Sequence, residues 1–85
     1  MIHFREIDKI VTKTDRKKHI TAIVSGLDVH GYARYAEYRT GKDRRGLWEW
    51  DPMRHDWKQI VGVADFEELK PADFRDKLRA MLLAK

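Results

Sequence analysis

Apolar and polar residues alternate in short runs along most of this chain, and clusters rich in glycine, aspartate and basic residues separate the runs. Alternation of this kind marks half-buried β-strands. The run 19–26, HITAIVSG, is rich in β-branched residues; it puts Ile20, Ala22 and Val24 on one face and Thr21, Ile23 and Ser25 on the other. Residues 32–39 predict a second strand, 47–51 a third and 57–64 a fourth, the last with Trp57, Gln59, Val61 and Val63 on one face. GLDVHG (26–31), TGKDRRG (40–46) and DPMRHD (51–56) read as the turns between them. Helical spacing appears at both ends. Phe4, Ile7, Ile10 and Val11 predict a short amphipathic helix over residues 2–12, although Ile2, Phe4 and Ile10 also fit an alternating strand. Phe74, Leu78, Met81 and Leu82 form one apolar stripe of a C-terminal helix. Pro71 suits its first turn, Asp73 and Asp76 come early, and Arg79 and Lys85 come late, as the helix dipole favours. The predicted architecture is α+β: a four-stranded antiparallel β-meander with a C-terminal α-helix packed on one face, and a short N-terminal helix as one reading of the first segment.

The densest chemistry lies in residues 31–51, which hold Tyr32, Tyr35, Tyr38, Trp48 and Trp50 together with Arg34, Arg39, Lys42, Arg44 and Arg45. With 40–46 as a loop, Tyr38 falls opposite Trp48 and Ala36 opposite Trp50. Tyr32, Arg34, Ala36, Tyr38, Trp48 and Trp50 then share one face. The other face carries Ala33, Tyr35, Glu37, Arg39, Leu47, Glu49 and Asp51, mixed in sign. A shift of one residue in this register exchanges the two faces. The aromatic face has two uses. Tyr38, Trp48 and Trp50 either pack beneath the helices, with Ala36 making room, or stack bases while Arg34 meets phosphate.

In a simple meander alternate turns lie at the same end of the sheet. KTDRKKH (13–19) and TGKDRRG (40–46) therefore meet, about 10 Å apart. Lys13, Arg16, Lys17, Lys18, Lys42, Arg44 and Arg45 form one basic rim, diluted by Asp15 and Asp43. Such a rim is either a phosphate-backbone contact or two solvated turns. The opposite end collects Asp28, His30, Asp51, His55 and Asp56, a set that reads as polar turn surface because no two histidines stand at ligand spacing.

Composition narrows the classes. Eighty-five residues make one domain, and the 42% apolar content is enough for one modest core. No cysteine is present, which removes disulfides, thiolate metal sites and a cysteine nucleophile. No apolar run approaches the ~18 residues of a membrane span, and the first residues lack the apolar core of a secretory signal, so the expectation is a cytoplasmic protein. The net charge of +4 lies upstream: the first twenty residues carry six basic and three acidic groups, the last twenty-five carry five of each. Ser25, the sole serine, has no nucleophile elbow around it, and GKDRRG lacks the ending of a phosphate-binding loop. No enzymatic signature, cofactor motif or metal site emerges.

Two function classes remain. The first is a nucleic-acid-binding module, with single strands favoured, acting through the basic rim and an aromatic-rich sheet; its candidate contacts are Arg16, Lys17, Lys18, Arg34, Tyr35, Arg39, Lys42, Arg44, Arg45, Trp48 and Trp50. Four strands running into a helix is similar in outline to single-stranded-DNA-binding coactivator domains; the likeness is one of topology and transfers no residues. The second is a phage- or plasmid-type inhibitor or adaptor that binds and blocks a host protein complex through its sheet face or edge, since Trp, Tyr and Arg anchor protein interfaces. Leu83 and the Met81–Leu82 stripe also offer a surface for a homodimer.

Overall fold

The computed structural model describes residues 4–70 and 72–83. Its α+β fold is a single antiparallel sheet followed by one C-terminal helix, with five strands where the sequence predicts four. The strands are β1 (Phe4–Thr14), β2 (Ile20–Asp28), β3 (Ala33–Arg39), β4 (Gly46–Asp51) and β5 (Asp56–Val61), in sequential order across the sheet. A short 3-10 turn, Val63–Asp65, leads through an extended segment to α1 (Phe74–Leu82). The predicted Pro71 and Lys85 positions and residues 2 and 3 lie outside the described residues.

The extra strand replaces the predicted N-terminal helix. Phe4, Ile7 and Ile10 do recur at intervals of three, but two β-bulges cause this. Phe4 faces Asp28, Ile7 faces Gly26 and Ile10 faces Val24, with register shifts between Phe4 and Glu6 and between Ile7 and Lys9. Each bulge inserts one residue into β1 and restores the same side chain to the core face. A five-stranded meander also removes the basis of the outline likeness to coactivator domains.

The core lies between one sheet face and α1. Phe4, Ile10, Ala22, Val24, Ala36, Tyr38 and Leu47 from the sheet meet Leu69, Phe74, Leu78 and Leu82. Alternation along β2 follows the prediction, with Ala22 and Val24 buried and Ile23 exposed. The helix stripe packs through Phe74, Leu78 and Leu82, whereas Met81 is exposed. Leu82 is fully buried, and Leu83, half-buried, pairs with Phe4 as an isolated bridge. Arg75 reaches across and donates to the Ile10 carbonyl at 2.6 Å, tying the helix to the outer strand.

Candidate functional site

The hairpin register is one residue away from the predicted one. Tyr38 faces Leu47, Glu37 faces Trp48 and Arg39 faces Gly46. Gly46 therefore belongs to β4 and not to the loop; its φ of 121° is open to glycine, and its backbone lies against the Val61 carbonyl, where no side chain fits. The faces exchange accordingly. Tyr38 alone of the predicted aromatic set packs beneath the helix, edge-on to Phe74 at 5.2 Å and tilted against Phe66 at 5.1 Å. Trp48 and Trp50 turn to the opposite, open face, and Glu49 joins Leu47 on the helix side.

Directly opposed residues share a face, so the open face can be followed across the strands. Lys13, Thr21 and Arg39 form its first row; Val11, Ile23, Glu37, Trp48 and Gln59 its second; Lys9, Ser25 and Tyr35 its third, continued on β4 and β5 by the pair Trp50 and Trp57. Val61, predicted beside Trp57 and Gln59, lies instead on the helix side, because a register shift between Leu47 and Trp48 lets β5 change faces. Tyr35 is 48% exposed. Trp50 and Trp57 meet edge to face at 5.4 Å, and His55 closes on Trp50 at 6.4 Å.

One charged cluster sits in this face. Glu37, only 7% exposed, accepts at Oε1 from Arg39 Nη1 at 3.3 Å and from Arg44 Nη2 at 3.1 Å. The Arg44 guanidinium lies 4.3 Å from the Trp57 ring centre and 5.9 Å from that of Trp48. Arg39 Nε, Arg44 Nη1 and Trp48 Nε1 are buried donors with no partner among the described residues. Arg45, the next residue, goes the other way. It donates to the Thr40 carbonyl at 2.6 Å, reaches Glu68 at 3.5 Å and lies over Phe66 on the helix side. The left-handed backbone at Arg44, φ 49°, is where the loop parts the two side chains.

The two basic turns do meet. Thr40 N–H donates to the Ile20 carbonyl at 3.0 Å, and Ile20 N–H donates to Thr40 Oγ1 at 2.8 Å, so the ends of the turns are stitched together. Asp15 Oδ1 accepts from the backbone N–H of Lys17 and His19 and shapes the first turn. The His19 N–H bond, foremost, holds the Asp15 carboxyl below its usual value. Between the turns runs a groove of about 430 Å³, lined by cationic Arg16, Lys17, Arg39 and Lys42 and by Asp15 and Asp43. Arg39 belongs both to this groove and to the open face. Lys18, with φ 65°, turns instead toward a separate depression beside Phe74 and Arg75.

The structure thus divides the candidate residues. Arg16, Lys17, Arg39 and Lys42 line the groove, and Tyr35, Trp48 and Trp50 lie on the open face, which Arg39 shares. Arg45 is engaged on the helix side and Arg44 on the tryptophans. Arg34 is a turn clip: its Nε donates to Asp28 Oδ2 at 3.0 Å, far from the groove. Sequence reasoning left out Trp57 and Glu37; their pairing opposite Trp50 and Trp48 follows only from the true register.

At the other end, Asp28 organises the β2–β3 turn. Burial raises its carboxyl pKa, but the N–H bonds from Tyr32 and His30 and the Arg34 guanidinium more than offset this and hold it below the ordinary value. The folded state therefore binds this proton more weakly than the unfolded chain, and the contribution to stability exists above about pH 4 and fades as pH falls through the depressed value. Denaturation curves of the native chain and Asp28→Asn between pH 7 and pH 2 should show the native chain's advantage shrinking toward zero in acid. Among the described residues, no three histidine, aspartate or glutamate side chains gather closely enough to hold a metal ion. No described helix is long and apolar enough to cross a membrane.

Compared with protein-family models, curated proteins and solved structures, the chain matches none.

Proposed function

We propose that this protein is a non-enzymatic module for single-stranded nucleic acid. Phosphates lie in the groove between turns 15–19 and 40–45, and bases lie on the open face. One observation carries this reading: the cationic groove meets the open face at Arg39, and Tyr35, Trp48, Trp50 and Trp57 lie on that same face, away from the helix. Polyanion contacts beside stacking rings are the usual means of holding a single strand without reading its sequence. The cations available for phosphate are Arg16, Lys17 and Lys42, none of which has an ion pair with another described residue, together with Lys9 and Lys13 on the first strand.

The test is a tryptophan-fluorescence titration with single- and double-stranded oligonucleotides at two salt concentrations. The native chain should show tight, salt-sensitive quenching by single strands. A combined Arg16→Ala, Lys17→Ala and Lys42→Ala variant should bind about 10- to 100-fold more weakly at low salt. Its salt slope should fall by about two, at about 0.7 for each phosphate no longer neutralised. Unchanged affinity in a folded variant would refute the groove as the phosphate site.

A protein partner is the second reading, favoured by β5, which among the described residues pairs only with β4 and is an edge strand of the sheet. Retention of a specific protein after nuclease treatment, with no oligonucleotide binding, would support it.

A further inference from the structure

We propose that Arg44 is a removable stacking partner: its guanidinium keeps the place on Trp57 that an unpaired nucleobase takes, and the base enters by displacing it. The inference rests on the single-strand reading above. Three observations lead to it.

The first is the shape of the occupant. A guanidinium is a planar cation, and its central carbon lies over the Trp57 ring, 4.3 Å from the ring centre, in the place a stacked base would take. Arg44 also comes from a loop, so it can leave without parting two strands.

The second is the donor count. Arg39 Nε and Trp48 Nε1 are buried with no partner among the described residues and stay in place when Arg44, whose Nη1 is likewise unpartnered among them, departs. All three are N–H donors, and Glu37 Oε1, the acceptor among them, is already shared by two arginines. A guanidinium brings only further donors into such a slot. A nucleobase brings carbonyl oxygens and ring nitrogens, which are the missing acceptors. Buried groups left without partners in a native structure call for an explanation, and an acceptor-rich ligand supplies one.

The third is that the exchange leaves no stranded charge. Glu37 stays paired with Arg39 at 3.3 Å when Arg44 departs, so the buried carboxylate does not have to be left alone. The released Arg44 then stands beside the groove, where the phosphates of the incoming strand run. Arg44 thus opposes base entry and afterwards attracts the backbone, and the two effects separate experimentally.

The variant is Arg44→Lys, which keeps the charge and cannot lie flat on an indole. Its affinity for a short oligothymidylate should rise about two- to fivefold, the exchange no longer having to displace a stacked cation. The gain should vanish on an oligonucleotide of the same length carrying abasic sites. A second measurement uses the native chain alone. The Arg44 Nε–H resonance, displaced by the Trp57 ring current in the free protein, should move to an ordinary arginine position when oligothymidylate saturates the site. Equal or weaker binding by Arg44→Lys, or an Arg44 resonance that keeps its ring-current displacement at saturation, overturns the proposal and leaves the single-strand reading in place. No binding of any oligonucleotide by the native chain at low salt overturns both.

Discussion

Replacing Tyr38 with alanine should remove a large share of the protein's stability. Tyr38 is 1% exposed and is the largest fully buried side chain in the core. Its ring lies between Phe66 and Phe74, and its hydroxyl accepts from the Leu69 N–H at 2.9 Å. One residue thus ties β3 to the extended segment that leads into the helix and to the helix itself. Truncating a buried aromatic costs about 3–5 kcal/mol, because the cavity collapses only in part. A domain of this size has about 4–13 kcal/mol of stability in all, so the loss is a large share of it. Tyr38→Phe separates the two contributions. It keeps the ring and leaves the buried Leu69 N–H without its acceptor, which costs about 1–3 kcal/mol. Urea denaturation followed by circular dichroism would rank native, Phe and Ala variants in that order. An alanine variant as stable as the phenylalanine one would show that the ring packs less tightly than these distances state.

The second large effect is expected at Gly46. A Cβ there runs into the Val61 carbonyl oxygen, and the φ of 121° lies in a region that side chains rarely adopt. Gly46→Ala must either shift β5 away from β4 or shift the hairpin register, and each breaks ladder hydrogen bonds. Strain and overpacking together should cost about 2–4 kcal/mol. The same change should reach the open face, since Trp48 is two residues away and Trp57 lies on the displaced strand. Tryptophan emission should move to longer wavelength at denaturant concentrations where the native chain is still folded. Thermal denaturation with fluorescence at two wavelengths would measure both effects together. An unshifted spectrum with native stability would mean that Gly46 stands outside the β4–β5 ladder.

Much of the fold is legible in the chain itself. β2 declares itself because β-branched residues alternate with small and polar ones, and burial follows that alternation without interruption from Ala22 to Val24. α1 is visible because Phe74, Leu78 and Leu82 recur at a spacing that a helix brings to one face, while Asp76 stands where a strand would need another apolar residue. The meeting of turns 15–19 and 40–45 follows from connectivity alone, since sequential antiparallel strands return every second turn to the same end. Arg16, Lys17 and Lys42 can be placed together on that argument without any knowledge of side-chain packing.

What sequence reasoning missed has one physical origin, the places where a strand departs from a period of two. Two bulges in β1 space Phe4, Ile7 and Ile10 three apart, which imitates a helix; only the unbroken partner strand, with Asp28, Gly26 and Val24 at intervals of two, reveals the extra residues. In the hairpin the same local pattern fits two registers one residue apart, and the choice between them rests on Gly46 lying against the Val61 carbonyl. That approach joins residues far apart in sequence, and it sends Trp48 and Trp50 to the open face while Tyr38 goes to the core. The opposite fates of Arg44 and Arg45, one over Trp57 and the other over Phe66, follow from the same loop. Composition and alternation therefore determined the layers, the helix and the basic end of the sheet. Tertiary packing decided which aromatics face outward and which cations remain free, because a face is assigned by register, and register is set by the partner strand.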